Sequence, residues 1–217
     1  MVNKKDTALK VAEFLLQVKA IKLQPKQPFT WASGWKSPIY CDNRITLSFP
    51  PVRTFIRQRL SEVITEEFGA VSLIAGVATA GIPQGVLVAQ DLGLPFAYVR
   101  SAPKDHGMNN MIEGEVKEGQ RVVVVEDLVS TGKSSLKAVE ALRAAGCEVV
   151  GMVSVFTYGF NAADENFKKA NCRLVSLSDY SFLIEQALVS GFISEKDVEQ
   201  LQAWRENPEG WGIKEEV

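Results

Sequence analysis

The sequence predicts an α/β fold in which a central parallel sheet is flanked by helices. Three observations predict it: strand-like and helix-like segments alternate from about residue 69 onward, the strand-like segments are continuous apolar runs, and 46% of the 217 residues are hydrophobic. Alternation is typical of parallel sheets with covering helices, and continuous apolar runs suit strands buried on both faces. A chain of this length is expected to form one domain with a sizeable core.

The first 20 residues predict a helix. Asp6 or Thr7 can cap it, and its apolar positions recur at helical spacing. These positions are Ala8, Val11, Ala12, Leu15 and Val18. The basic and then apolar start resembles a signal peptide, but Glu13 interrupts the apolar run and no small-residue cleavage site follows, so helical periodicity is the better interpretation.

Three further segments lead up to the alternating part. Residues 21–28 contain two prolines and predict a loop. Residues 29–44 predict two short strands around a turn at Ser33 and Gly34. A helix is expected to open at Pro50 and Pro51 and to run to about residue 68, because proline is favoured in the first turn of a helix.

The alternating part is expected to supply the sheet. Strands are predicted at 71–76, 95–99, 121–126, 148–156 and 173–176, and helices at 83–90, 133–145 and 163–170. The tail from Ser178 to Trp211 predicts helices with a turn near Gly191.

Composition excludes several classes of protein. The net charge of −2 indicates no broad basic surface, so a nucleic-acid partner is not expected. The longest apolar runs are far shorter than the ~20 residues of a membrane-spanning helix, so no membrane role is expected. Three widely spaced cysteines and one histidine give no zinc spacing, and reduced thiols in a cytoplasmic protein account for them.

The segment from Val122 to Ser134 carries the chemistry. A buried strand is predicted to end in Glu126 and Asp127, followed by a loop of small and hydroxyl-bearing residues and a helix near Lys133. Open α/β sheets bind ligands at the ends of parallel strands, and a loop leading into a helix N-terminus binds phosphate. Carboxylates beside a phosphate cradle suit ribose hydroxyls or hydrated magnesium. The pattern therefore predicts a phosphorylated sugar across the strand end.

The letters Gly132-Lys133-Ser134 also resemble the end of a P-loop. That motif requires a second glycine five positions before Gly132, where Asp127 stands. A P-loop kinase or GTPase is therefore not expected.

Four segments together resemble a known family. Residues 122–134 resemble the phosphoribosyl-diphosphate (PRPP) signature of type I phosphoribosyltransferases. Residues 29–44 resemble the N-terminal hood of the orotate phosphoribosyltransferases, residues 98–107 resemble their mobile catalytic loop, and residues 76–83 resemble their second phosphate-contacting turn. The resemblance implies the type I phosphoribosyltransferase fold, with hood elements at about 1–48, a PRPP-binding core at about 69–177 and a C-terminal helical tail at about 178–217.

The same resemblance implies the reaction and the site. It implies transfer of the 5-phosphoribosyl group from PRPP to orotate, with Lys104, His106 and Asp127 catalytic and Ser130 contacting orotate. It also implies Mg²⁺, held mainly through PRPP and water with Asp127 as the candidate protein ligand. The implied PRPP-binding residues are Arg100, Lys104, His106, Glu126, Asp127, Leu128, Val129, Ser130, Thr131, Gly132, Lys133 and Ser134.

Residues 100–113, here called the lid segment, agree with that role on physical grounds. Arg100, Lys104 and His106 concentrate positive charge, which stabilises negative charge developing on departing pyrophosphate. Gly107 and two asparagines suit a lid that closes and excludes water. The resemblance implies that this segment reaches the neighbouring subunit's site, and hence a homodimer.

The sequence departs from the family pattern at four places. Ala32, Ala80 and Ser101 stand where relatives can carry lysine, and Thr157 and Tyr158 stand where relatives can carry an orotate-contacting arginine. Two alternatives stay open at this stage. A purine or other phosphoribosyltransferase would share residues 122–134 but not the hood, and a PRPP-sensing regulator would bind without catalysis.

Overall fold

The computed structural model describes residues 4–31, 34–102 and 111–211. Its helices are α1 (Lys5–Gln17), α2 (Pro50–Phe68), α3 (Gly81–Leu92), α4 (Lys133–Ala144), α5 (Asn161–Lys169), α6 (Tyr180–Val189) and α7 (Glu195–Glu206). Its strands are β1 (Ile21–Leu23), β2 (Phe29–Thr30), β3 (Lys36–Ser37), β4 (Ile39–Cys41), β5 (Leu73–Val77), β6 (Phe96–Val99), β7 (Ile112–Glu113), β8 (Arg121–Val129), β9 (Glu148–Thr157) and β10 (Leu174–Asp179). A short 3₁₀ helix, Asn43–Ser48, precedes α2.

Six strands form the central sheet, in the order β10-β9-β8-β5-β6-β7. Each neighbouring pair is parallel except β6 and β7. Along β8, Val123 and Val125 face a core that includes α1, α2 and α3, whereas Val122 and Val124 face a second core with α4 and α5. Because both faces of β8 are buried, its continuous apolar run is explained, and the predicted parallel sheet between helical layers is confirmed.

The strand order places a topological switch point between β5 and β8. From β5 the chain adds β6 and β7 on one side, and it then returns to build β8, β9 and β10 on the other. Helix α3 begins close against β8 here, since a Cβ on Gly81 would lie 2.5 Å from the Val125 carbonyl oxygen. Open α/β sheets bind ligands in the crevice at such a point.

Three predicted boundaries and one predicted cap were wrong, and one of the boundaries is that of the last strand, which was predicted to end at residue 176 and continues to Asp179 as β10. Strand β8 continues past Glu126 to Val129, because Leu128 and Val129 pair with Phe156 and Thr157 of β9. The segment predicted as a proline-containing loop begins with β1, which pairs antiparallel with β4. Helix α1 begins at Lys5 with no side-chain cap, so Asp6 lies inside the first turn rather than before it.

The N-terminal strands and the tail agree with the sequence prediction. Strands β2 and β3 pair antiparallel, with Thr30 opposite Lys36, on either side of the predicted turn. We call these two strands, with Trp31 and Trp35, the hood hairpin. Helices α6 and α7 form the tail, and Gly191 between them has a φ of +71°. None of the helices in the described part of the chain combines the length and apolarity that crossing a bilayer requires.

Candidate active site

Four parallel strands, β5, β6, β8 and β9, end at one edge of the sheet, and the predicted motifs meet there. The turn at residues 78–80 follows β5, Arg100 follows β6, residues 130–132 follow β8, and Tyr158 follows β9. Lys104 and His106 of the lid segment lie outside the described residues, as does Ala32. The described part of the predicted site is therefore assembled at the carboxyl edge of the sheet.

The loop after β8, residues 130–134, is held by hydrogen bonds to main-chain carbonyl groups in it and just before it. The carbonyl oxygen of Val129, just before the loop, accepts hydrogen bonds from Thr157 Oγ1 and from the Tyr158 amide, both at 3.1 Å. Within the loop, the Thr131 carbonyl accepts from Asn166 Nδ2 at 3.0 Å. We call residues 130–134 the phosphate loop.

The amide groups of residues 131–134 in the phosphate loop, unlike these carbonyl groups, have no hydrogen-bond partner among residues 4–31, 34–102 and 111–211. The first bond of the following helix runs from the Leu136 amide to the Gly132 carbonyl, at 2.9 Å. Amides before that point have no partner within the helix. Anchored carbonyls and unpaired amides at a helix N-terminus form a cradle for a phosphate.

Gly132 is required by the shape of this loop. Its φ of +77° lies in the left-handed region, which side-chain-bearing residues rarely adopt. A Cβ there would also lie 2.6 Å from Cε2 of Phe167, a buried residue of α5. The loop therefore packs directly on α5, and only glycine fits.

Glu126 and Asp127 are neighbours in β8 that differ in burial, and their carboxyl groups interact with each other. Glu126 is 6% exposed, and its Oε2 accepts from Ser135 Oγ of α4 at 2.8 Å. Its Oε1 accepts from the Asp127 amide at 3.1 Å. Burial, and then the adjacent Asp127, raise the pKa of Glu126 well above its usual 4.5. Glu126 thus joins the strand end to the start of α4.

Asp127 points toward the hood side and is only half-buried. Burial raises the pKa of Asp127 above its usual 3.8, while its hydrogen bonds and the charge of Arg44 act in the opposite direction. Of the two acids, Asp127 is the carboxylate that solvent and a ligand can reach.

Asn43 is a site residue that the sequence analysis did not identify. Its Nδ2 donates to the main-chain carbonyl of Asp127 at 2.7 Å, and its Oδ1 accepts from the Cys41 thiol at 3.3 Å. The side chain is 1% exposed. Asn43 lies two positions after β4 and within the segment 29–44, which is the signal that the sequence offered for it. Its partners in the structure are expected, because buried amides are almost always paired.

Arg100 leads into the lid segment. Its amide donates to the Met111 carbonyl at 2.8 Å. This bond joins the described residues that precede positions 103–110 to those that follow them. The Arg100 guanidinium lies 3.7 Å from the carboxylate of Glu113 in β7. Ser101 and Ala102 beyond it are exposed. The backbone thus sets the starting point of the lid at the edge of the site.

The turn after β5 approaches the same edge. The Ala78 amide donates to the Val99 carbonyl at 2.9 Å, and the peptide bond between Ala78 and Thr79 is cis. Thr79 is exposed and Ala80, where relatives can carry lysine, is half-buried. The turn can offer backbone groups and the Thr79 hydroxyl to a ligand, but it has no positively charged side chain.

The described residues fit a metal ion held mainly by substrate. No three histidine, cysteine, aspartate or glutamate side chains in the described ranges are close enough together to hold one. Asp127 is the accessible carboxylate, since both oxygens of Glu126 already accept hydrogen bonds. One carboxylate beside a phosphate cradle suits Mg²⁺, which binds through few protein groups and retains substrate and water oxygens.

Comparison with known proteins gives consistent findings. The Phosphoribosyl transferase domain family matches residues 51–188. The chain is 62% identical to an orotate phosphoribosyltransferase of Porphyromonas gingivalis, over 94% of this chain and 97% of the relative. It is 54% identical to one from Listeria monocytogenes, over 93% and 97%.

Solved structures show the same similarity. The crystal structure of an orotate phosphoribosyltransferase from Aeropyrum pernix superposes with a TM-score of 0.74 at 31% identity, covering 85% of this chain and 99% of that one. An orotate phosphoribosyltransferase of Mycobacterium tuberculosis, solved in complex with PRPP, superposes with a TM-score of 0.64 at 25% identity, covering 82% and 98%.

Proposed function

The chain belongs to the orotate phosphoribosyltransferase family, and we infer that it transfers the 5-phosphoribosyl group of PRPP to orotate. The products are orotidine 5-monophosphate and pyrophosphate, in pyrimidine biosynthesis. The observation that carries this inference is the phosphate loop, whose carbonyls are anchored and whose amides are unpaired, beside Asp127 at the β5–β8 switch point. The relatives with 54–62% identity favour orotate over a purine base, and they favour an enzyme over a regulator.

The donor side of the site is built from the phosphate loop. The 5-phosphate of PRPP is proposed to accept from the amides of residues 131–134 and from the hydroxyls of Ser130, Thr131 and Ser134. The N-terminus of α4 adds the favourable end of the helix dipole. Leu128 and Val129 contribute through the backbone of β8, and Lys133 contributes positive charge at the helix start.

Asp127 is proposed to accept from the ribose hydroxyls. Glu126 was the other predicted ribose contact, but its carboxyl is buried and both of its oxygens accept hydrogen bonds from the protein, so we propose that it holds Asp127 and α4 in place instead. Bound Mg²⁺ would supply positive charge to the diphosphate of PRPP, with Asp127 as its protein contact through water. Asp127 therefore acts on the sugar and its charge, and neither acid serves as a nucleophile.

The acceptor side is proposed to lie between the hood hairpin and Ser130. As the bond between C1 and the pyrophosphate oxygen loosens, its electron pair leaves with pyrophosphate and C1 becomes oxocarbenium-like. The orotate ring nitrogen then attacks the opposite face of C1, which inverts the configuration. No covalent intermediate with the protein is required.

The lid segment is proposed to act on the leaving group. Arg100, Lys104 and His106 would stabilise charge on the departing pyrophosphate, and closure would keep water from the activated sugar. Ala32, Ala80 and Ser101 stand where relatives can carry lysine. The lid, backbone amides and Mg²⁺ are therefore proposed to supply more of the stabilisation of the charge on pyrophosphate. We further propose a cytoplasmic homodimer in which the lid segment serves the neighbouring subunit.

The proposed function is tested by following orotate absorbance with purified protein, PRPP and Mg²⁺, leaving out each component in turn. We expect a loss of orotate absorbance that requires all of them. Pyrophosphate release with another base, but not with orotate, would retain the fold and overturn the acceptor. Turnover of Lys104→Ala tests the lid, and near-normal turnover would contradict its role.

A further inference from the structure

An aromatic cluster joins the C-terminal helix α7 to the hood hairpin. Trp204 of α7 is fully buried, and its ring centroid lies 5.6 Å from that of Trp31 in the hood hairpin and 5.7 Å from that of Tyr158 after β9. Phe160 and Tyr180 complete the cluster, each at 5.6 Å from Trp204. Edge-to-face and tilted rings at these distances stabilise one another beyond the burial of their area.

Two consecutive residues of α7 also donate hydrogen bonds, one to the hood hairpin and the other to the turn after β9. Trp204 Nε1 donates to the Lys36 carbonyl of β3 at 3.2 Å. Arg205 donates from Nε to the Tyr158 carbonyl at 3.3 Å and from Nη2 to the Gly159 carbonyl at 3.0 Å. Helix α7 therefore holds the hood hairpin with one residue and the turn after β9 with the next.

The turn after β9 also contacts the end of β8, which leads directly into the phosphate loop. The Tyr158 amide donates to the Val129 carbonyl at 3.1 Å, immediately before Ser130. A continuous set of contacts thus runs from β3 through Trp204, Arg205 and Tyr158 to Val129, the residue immediately before the phosphate loop. Helix α7 lies beyond residues 51–188, which the family match covers.

An open cavity of ≈ 310 Å³ lies where these parts meet. Trp35 of the hood hairpin, Thr131 of the phosphate loop and Phe160 form part of its wall, and the end of α7 forms another part through Arg205. Glu206 and Glu209 also face it, so the wall carries both signs of charge. The relative position of the hood hairpin, the phosphate loop and α7 therefore determines the shape of the space beside Thr131.

We propose that Trp204 and Arg205 are positioning residues that fix the hood hairpin and the turn after β9 against the phosphate loop, and so set the affinity for the acceptor base. This proposal rests on the proposed function, in which the acceptor lies between the hood and Ser130. The donor phosphate depends on amides of residues 131–134, which α4 and Asn166 hold without α7. Loss of the α7 contacts should therefore raise the KM for orotate more than the KM for PRPP.

The test compares the steady-state kinetics of three variants with those of a matched control variant. Arg205→Met keeps the aliphatic stem and removes both donors, and Trp204→Phe keeps a buried ring and removes the bond to Lys36. Losing hydrogen bonds of this kind should raise the KM for orotate by about three- to tenfold, with kcat and the KM for PRPP within about twofold. Arg205→Lys, which can still donate to a carbonyl, should restore part of the affinity. Gln202→Ala, on the exposed side of the same helix, is the matched control and should change nothing.

A purely structural role predicts a different result. In that case Arg205→Met and Trp204→Phe would lower the melting temperature but leave the KM for orotate of the folded fraction unchanged, and the proposal would be overturned. Equal rises in both KM values would overturn it as well, because the effect would not be specific to the acceptor. If the wild type uses another base, the same comparison is made with that base, so the acceptor assignment can fail without deciding this inference. If the wild type transfers the phosphoribosyl group to no base, both the proposed function and this inference are overturned.

Discussion

Asn43 and Asp127 are 84 positions apart in the sequence, yet Asn43 Nδ2 donates to the Asp127 carbonyl oxygen across 2.7 Å. The bond is shielded from water, since Asn43 is 1% exposed. It connects the chain that leaves the hood to the strand end that carries the accessible acid. The main chain of Asp127 is thereby held from the hood side while its side chain stays available to a ligand.

Replacing Asn43 with alanine should therefore affect both stability and donor binding. It leaves the buried Asp127 carbonyl without its side-chain donor, which costs about 1–3 kcal/mol of unfolding free energy. We also expect a higher KM for PRPP, because the position of Asp127 is no longer fixed. Urea unfolding and steady-state kinetics measure the two effects. Gln90→Ala removes an exposed amide from α3 and should leave both unchanged; equal behaviour of the two variants would contradict the role of Asn43.

Gly132 and Gly119 form a matched pair that separates backbone strain from close packing. Their φ values are +77° and +78°, but a Cβ on Gly132 would meet Phe167 at 2.6 Å, whereas one on Gly119 would meet nothing within 4 Å. Gly119→Ala should cost roughly 1–2 kcal/mol through the left-handed conformation alone. Gly132→Ala should cost about 1–3 kcal/mol more through overpacking, and it should also weaken PRPP binding. Equal losses of stability in the two variants would show that the loop does not pack on α5 as described.

The buried carboxyl of Glu126 predicts a particular dependence of stability on pH. Below pH 4.5 the group is protonated in the folded and the unfolded chain, so its favourable contribution is complete there. Above 4.5 the unfolded chain ionises first, because burial has raised the pKa of Glu126 in the folded chain. Wild-type stability is therefore lost as the pH rises toward and through that raised pKa.

Glu126→Gln removes this titration and retains an oxygen for the Ser135 hydroxyl. Relative to the wild type, the variant should gain unfolding free energy steadily as the pH rises above 4.5. Urea unfolding at a series of pH values measures the difference, with Glu140→Gln on the exposed side of α4 as the control. A difference between Glu126→Gln and wild type that does not change with pH would contradict the burial of an acid at this position.

Much of the fold and site followed from local patterns. The parallel sheet, the helix opened by Pro50, the hairpin around Gly34 and the two-helix tail all depend on periodicity or turn chemistry within a few residues, so the sequence carries them. The position of Gly132 between strand and helix was likewise readable, since it follows from the spacing of Val122 to Ser134 alone.

The features that were missed depend on partners distant in the sequence. The extension of β8 to Val129 is decided by its pairing with Thr157, which no pattern within β8 reveals. Asn43 gains its role only because the fold brings it to Asp127, and Trp204 only because α7 lies against β3. The different burial of Glu126 and Asp127 also depends on the elements that pack around the strand end.

The most direct test of the assigned site is the kcat/KM for PRPP of Asp127→Asn, measured with orotate and Mg²⁺ beside the wild type. Asparagine keeps the shape of the side chain and removes the charge, and burial already disfavours that charge, so the variant should fold. We expect the kcat/KM for PRPP to fall by at least about a hundredfold, which is the loss seen when one preorganised electrostatic contact to a transition state is removed. A folded Asp127→Asn protein whose kcat/KM for PRPP stays within about twofold of the wild type would contradict the assignment of the β8 end as the PRPP site.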